Sequence, residues 1–224
     1  LTILNPRQLQ AVKSISQPTL VLAGAGSGKT SVITRKIAWL IDECGLKAEN
    51  IAAVTFTNKA AREMKERIQK LLPRSQTRGL MVSTFHTLGL NIIRKELHTL
   101  GLRDGFSIYD SEDSRNLLIE LSKRDGEIDS DLIDFVQQTI SALKNDMLQP
   151  EQAMQQAGSP QEQTIAALYM QYQQALKAYN AVDFDDLIQI PAHLFNQYPA
   201  ILQKWRSKIR YLLVDEYQDT NNSQ

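Results

Sequence analysis

One stretch constrains this chain more than any other: Ala23-Gly24-Ala25-Gly26-Ser27-Gly28-Lys29-Thr30. The apolar run Thr19-Leu20-Val21-Leu22 leads into it, and a helical pattern (Val32-Ile33, Ile37-Ala38, Leu40-Ile41) leads out. Strand, glycine-rich loop and helix in that order make a phosphate-binding loop. Glycines let successive backbone N–H groups turn inward, where side chains would block the concave geometry. The helix that follows turns its unpaired N–H groups and partial positive charge toward the anion. Ala23, Gly24, Ala25, Gly26, Ser27 and Gly28 therefore read as the cradle. Lys29 is the cation that reaches the β- and γ-phosphates, and the Thr30 hydroxyl is a ligand for Mg²⁺. Ala23 stands where glycine is usual, and alanine is the smallest substitute.

The α/β pattern continues along the chain. Asn5-Pro6-Arg7-Gln8 opens a short helix, with Asn5 as N-cap and Pro6 at the first helical position. Ile51-Ala52-Ala53-Val54-Thr55-Phe56 reads as a buried strand, followed by a helix over 58–72. Leu80-Met81-Val82-Ser83-Thr84 is a third strand, followed by a helix over 86–98 that stops at Gly101. Alternating buried strands and helices predict a parallel, doubly wound α/β sheet with helices on both faces. From about residue 90 to 187 the periodicity is helical, with no convincing strand. Helices are expected over 112–123, 131–145, 161–180 and 184–196, separated by turn signals at Arg124-Asp125-Gly126, Gln149-Pro150 and Gly158-Ser159-Pro160. The sheet resumes at Ile209-Arg210-Tyr211-Leu212-Leu213-Val214. The expected organisation is a sheet domain in two pieces, 1–89 and 187–224, around an all-helical insertion over 90–186.

Asp215-Glu216-Tyr217-Gln218 follows that last strand directly. Ligands of parallel sheets sit at the carboxyl ends of strands, so these acids stand beside the phosphate loop if the strand neighbours Thr19–Leu22. Asp215 can hold the Mg²⁺ that bridges the β- and γ-phosphates, and Glu216 can act as general base toward the attacking water. Gln218 can sense the γ-phosphate or orient the water. An Asp-Glu pair after a strand is by itself a solvated turn; its pairing with the glycine-rich loop makes it the second half of a Mg²⁺–ATP site.

Composition excludes several classes. Lys+Arg and Asp+Glu are both 25, so bulk charge argues for no polyanionic partner and only local patches speak. The single cysteine, Cys44, rules out a disulfide framework and a cysteine-rich zinc site, and three scattered histidines form no ligand set. No apolar run is long enough to span a bilayer, so a soluble cytoplasmic protein without a membrane partner is expected.

These blocks carry a resemblance. AGAGSGKT, AVTFTNKAAREM, STFHTLG, VDFDDLI and LLVDEYQDTN stand in the order and spacing of the UvrD/Rep/PcrA family of superfamily 1 DNA helicases, on its Rep side. The chain is thereby identified as a member of that family over nearly its whole length. The resemblance implies a RecA-like motor domain that uses ATP and Mg²⁺, and single-stranded DNA and duplex junctions as partners. It also implies an N-terminal fragment whose second motor domain lies beyond Gln224. Gln8 matches the family's adenine-recognising glutamine; a carboxamide can donate and accept against the N6/N7 edge. Arg35, one turn past the loop, either touches nucleotide or is simply exposed.

The resemblance further makes Thr55, Phe56, Asn58, Lys59, Thr84, Phe85 and His86 candidate DNA contacts. Hydroxyls and N–H groups bind phosphates while rings stack on bases. Phe56 and Phe85 also read as core aromatics, and His86 as a capping residue. The basic run Lys59, Arg62, Lys65, Arg67, Lys70, Arg74 and Arg78 is either a phosphate track or a solvated helix face. The acidic stretch 104–134 is expected to face away from DNA. Asp183, Asp185 and Asp186 are read as capping and structural groups rather than a metal site. Competing readings are a helicase–nuclease subunit of the same superfamily, a nucleic-acid-binding module without turnover, and a small-molecule kinase. The DEYQ block argues against the kinase.

Overall fold

A computed structural model of the chain describes residues 4–24, 26–125 and 130–224. The elements in chain order are α1 (Pro6–Lys13), α2 (Lys29–Asp42), β1 (Ile51–Thr55), α3 (Asn58–Leu71), β2 (Met81–Thr84), α4 (Phe85–Lys95), α5 (Leu97–Leu100) and β3 (Ser107–Tyr109). They continue as α6 (Ser111–Asp125), α7 (Ser130–Asn145), α8 (Pro150–Gln156), α9 (Pro160–Ala178), β4 (Ala181–Asp183), α10 (Asp186–Gln197), α11 (Pro199–Lys208) and β5 (Tyr211–Val214). The chain divides into two compact units: Leu1–Phe85 with Ala200–Asp219, and His86–Pro199 with Thr220–Gln224.

The first unit is built on a parallel sheet of order β2-β1-β5. β1 is central and buried along its whole length, which suits its unbroken Ile-Ala-Ala-Val-Thr run. Val82, Ala53 and Leu213 are register partners across the sheet. They pack with Ile37 and Leu40 of α2 and with Met64, Ile68 and Leu72 at α3 in one core. Each of the Val, Leu, Ile and Met side chains among them stabilises the unit by about 1.5–3 kcal/mol when fully buried. α3 begins where the Thr57 side chain accepts from the Ala60 N–H at 3.1 Å.

The expected strand at Thr19-Leu20-Val21-Leu22 is not formed. Neither sheet includes it, and Leu20, Val21 and Leu22 are 63%, 45% and 88% exposed. An apolar run becomes a strand only when a neighbour takes its N–H and C=O groups, and no described strand does so here.

The second unit is mainly helical. Leu117, Leu118 and Leu121 of α6, Ile133, Val136 and Ile140 of α7, and Ile165, Leu168, Tyr169, Tyr172 and Leu176 of α9 form its core. It also holds a short parallel pair, β3 with β4, that helical periodicity did not reveal. Two of the expected turns separate helices as the sequence suggested, though the helix between them, α8, was not expected. Gln149-Pro150 starts α8 and Ser159-Pro160 starts α9, each with a capping box and proline in the first turn. Gly126 of the third turn lies outside the described residues. α10 groups with this unit, whose main stretch runs to Pro199, whereas the sequence suggested that the sheet domain returns at 187. Gly89 explains how closely α10 packs on α4: a Cβ there would lie 1.7 Å from the Leu187 carbonyl oxygen.

A buried ionic cluster ties β4, α7, α9 and α10. The Lys144 ammonium, fully buried, bonds Asp183 at 2.7 Å and Asp186 at 2.8 Å. The Tyr172 hydroxyl donates to Asp183 at 2.9 Å. The Asp186 N–H donates to the Asp183 carboxylate and the Asp183 N–H to that of Asp186, a reciprocal cap on the turn entering α10.

Candidate active site

Parallel pairing brings the carboxyl ends of β1, β2 and β5 to one edge of the sheet. Asp215 follows β5 there, and its N–H extends the ladder by donating to the Val54 carbonyl at 2.9 Å. The glycine-rich loop delivers Lys29 as the first residue of α2. Gly28 precedes it at φ +86°, a left-handed conformation that favours glycine, and a Cβ there would lie 3.2 Å from the Gln8 carboxamide nitrogen. Ala25 lies outside the described residues. Ala23, Gly24, Gly26 and Ser27 are exposed, while Gly28, Lys29 and Thr30 are half-buried.

The two halves of the predicted site meet. Lys29 Nζ is 3.9 Å from Glu216 Oε2 and 3.4 Å from the Ala23 carbonyl oxygen. Gln218 Nε2 donates to the same Glu216 oxygen at 2.5 Å, and the Glu216 N–H donates to Asp215 Oδ1 at 3.1 Å. Glu216 adopts φ +51°, a left-handed conformation uncommon for a residue with a side chain and worth a kilocalorie or more of strain, on the order of 1–3 kcal/mol. The turn thus holds Glu216 between a cation and an amide donor, in an exposed setting where the ion pair itself contributes only about 0–1 kcal/mol.

Asp215 is buried, and burial pushes its carboxyl above the ordinary aspartate range, reinforced by the charge of Glu216. The Glu216 N–H and Lys29 pull the other way but do not offset it. A desolvated carboxylate beside a second carboxylate is short of positive charge. Thr30, Asp215 and Glu216 offer only hard oxygen donors, the set that suits Mg²⁺ when phosphates and water complete the shell.

Gln8 stands at the N-terminus of α1. Its Oε1 accepts from the Asn5 N–H at 2.9 Å and its Nε2 donates to the Ser27 carbonyl at 3.0 Å, so the carboxamide abuts the glycine-rich loop. Arg35 is half-buried in α2.

The candidate nucleic-acid residues divide. Thr55, Thr84 and Phe85 are buried, and Phe85 packs on Phe56 with centroids 5.5 Å apart. Burial removes Phe85 as a stacking surface and leaves it supporting Phe56, which is half-buried. Asn58 and Lys59 are exposed in the first turn of α3. His86 belongs to the second unit and is exposed there. Its ring is partly desolvated, which lowers its pKa against the opposing pull of Asp185. It meets Phe184 edge-on at 6.2 Å. Phe184, half exposed, was not among the expected contacts; the signal was an aromatic residue set between aspartates in VDFDDLI. The basic side chains of α3 at Lys59, Arg62, Lys65, Arg67 and Lys70 are all exposed.

Residues 4–224 match the family model described as UvrD/REP helicase N-terminal domain. The chain belongs to that family. It is 54% identical over 221 residues to ATP-dependent DNA helicase Rep of Escherichia coli K12, an alignment covering 99% of this chain and 33% of that protein. It is 48% identical over 221 residues to Rep of Buchnera aphidicola subsp. Schizaphis graminum, covering 99% of this chain and 34% of that protein. It is 42% identical over 224 residues to ATP-dependent DNA helicase PcrA of Staphylococcus aureus Mu50, covering 99% of this chain and 30% of that protein. The chain thus spans about a third of the length of these relatives. Among the described residues no helix is long and apolar enough to cross a membrane.

Proposed function

We propose that this chain is the N-terminal, ATP-binding part of a DNA helicase that couples ATP hydrolysis to 3′–5′ movement on single-stranded DNA and to unwinding at duplex junctions, in replication or repair in the cytoplasm. The observation that carries the reading is the approach of Lys29 to Glu216, which joins the glycine-rich loop to the acids after β5. Family membership and the helicase relatives support it.

In this reading the backbone of residues 23–28 and Lys29 bind the phosphates, and Gln8 reads adenine. Thr30 and Asp215 hold Mg²⁺, which when bound neutralises charge on the β- and γ-phosphates. Glu216 takes the proton of the attacking water, and Gln218, bonded to the same carboxylate oxygen, keeps that base oriented. Arg35 lies one turn further on and touches nucleotide. In the first unit Phe56, backed by Phe85, stacks on a base, while Asn58 and Lys59 bind phosphate and Thr55 and Thr84 hold the strand ends beneath them. In the second unit His86 with Phe184 offers a further aromatic surface. Charge-stabilising arginines are supplied by a second motor domain of the same protein, so the segment alone turns over slowly.

The test is ATP hydrolysis by the full-length protein with and without single-stranded DNA. Stimulation by DNA that Lys29→Ala abolishes supports the reading. Undiminished turnover in Lys29→Ala contradicts it. Duplexes tailed at the 3′ or 5′ end test the direction.

A further inference from the structure

α1 raises a question of mechanics. It is 8 residues long, and Val12 is its one buried residue among those described. Helices this short are marginal on their own. Apolar burial therefore does not set its orientation, although Gln8 in its first turn must meet the glycine-rich loop to within a hydrogen bond.

Polar tethers at its other end do so. Lys36 of α2 is 7% exposed. Its Nζ donates to the Ala11 carbonyl at 2.9 Å and also to the Ser14 carbonyl. It lies 5.5 Å over the Tyr211 ring of β5. The Tyr211 hydroxyl donates to the same Ser14 carbonyl at 3.3 Å. An ammonium at a helix C-terminus satisfies carbonyls that lack intrahelical partners and meets the negative end of the dipole. Lys13 adds a weaker tie, 5.1 Å over the Trp39 ring. With a rise of about 1.5 Å per residue, Gln8 stands one turn from this anchor, so a tilt of α1 moves its carboxamide.

Resting on the proposed role of Gln8, we infer that Lys36 is a positioning residue: by fixing the C-terminal end of α1 to α2 and β5 it aims the Gln8 carboxamide and so sets the preference for adenine over other purine nucleotides. Lys36 touches no nucleotide itself. It acts through one side chain, and its removal leaves the phosphate-binding groups in the loop intact.

The experiment compares equilibrium dissociation constants for Mg²⁺–ATP and Mg²⁺–GTP in the full-length protein, for wild type, Gln8→Ala, Lys36→Met and the double variant, each checked for folding by circular dichroism. Loss of one well-placed hydrogen bond corresponds to about a two- to twelvefold effect, so Lys36→Met is expected to reduce the ATP/GTP preference by that factor. The change should fall on the ATP constant and leave the GTP constant near its wild-type value. In the Gln8→Ala background Lys36→Met should add nothing, the signature of two residues acting as one. A folded Lys36→Met with wild-type preference, or additive effects in the double variant, overturns the assignment. If Gln8→Ala keeps the wild-type preference, the adenine reading itself fails and the role of Lys36 fails with it. Should Lys36→Met not fold, Lys36→Arg is read instead. It keeps the charge but presents a rigid fork in place of a point donor. Its preference is expected to fall in the same direction, and an unchanged preference overturns the inference.

Discussion

Lys144→Met tests the buried cluster of the helical unit. The wild-type ammonium is fully buried and bonds two carboxylates at 2.7 and 2.8 Å. Burial alone would lower the lysine pKa, but Asp186 and Asp183 outweigh it and raise it, so the lysine is charged. Asp186 is pushed up to about 6, first by burial and then by Asp183, with Lys144 opposing. Methionine fills the space of the lysine stem but leaves both acids without their cation, which costs about 3–5 kcal/mol in measured cases of this kind. Tryptophan fluorescence does not report it, because Trp39 and Trp205 lie in the other unit. Amide hydrogen exchange in α7, α9 and α10 does. The expected loss of protection there is roughly 10²- to 10⁴-fold, with amides of β1 and α3 unaffected. The pH dependence has a definite sign. Removing Lys144 takes away the one charge that holds the Asp186 pKa down, so it rises further above the unfolded value of about 3.9, the folded state binds more protons and stability falls as pH rises through that interval. Lys144→Met should therefore be least damaging near pH 5 and most damaging near pH 8, and adding Asp186→Asn should restore part of the loss. A loss of protection below about threefold, or one indifferent to pH, would refute the reasoning.

Gly89→Ala pushes a methyl group to 1.7 Å from the Leu187 carbonyl oxygen, so α4 and the start of α10 must separate. An overpacking cost of about 1–3 kcal/mol or more is expected, read as a lowered unfolding midpoint of the helical unit. Asp215→Asn removes a carboxylate that burial and Glu216 hold above its ordinary pKa. A raised acid pKa means stability falls as pH rises through it, so at neutral pH the ionised group is a cost. The variant should match or exceed the wild type in thermal midpoint without nucleotide, yet gain no more from Mg²⁺–ATP than from ATP with Mg²⁺ chelated. A lowered midpoint in nucleotide-free protein would count against the account.

Much of the candidate site's layout was legible because its motifs are local. AGAGSGKT and the Asp215-Glu216 pair each declare themselves within a few residues, and the parallel α/β pattern brings them to one sheet edge. What stayed hidden depends on partners distant in sequence. Thr19–Leu22 reads as a strand by composition, but strandhood needs a neighbour. β3 and β4 are three residues each, too short for a period, and pair across more than seventy residues. Lys144 looks like any charged residue of a helix until Asp183 and Asp186 arrive 39 and 42 residues later. Pro150 was read only as a break, and the short helix α8 that it opens was missed, since proline marks a helix start and a turn with the same letter.

The central claim is that Lys29 and Asp215 grip one magnesium nucleotide. The direct measurement is calorimetric titration of the protein with ATP, with Mg²⁺ and with Mg²⁺ chelated, in wild type, Lys29→Ala and Asp215→Asn. The account predicts wild-type affinity that falls when Mg²⁺ is removed, a Mg²⁺ dependence absent in Asp215→Asn, and weak binding in Lys29→Ala under both conditions. Equal Mg²⁺ dependence in wild type and Asp215→Asn would contradict it.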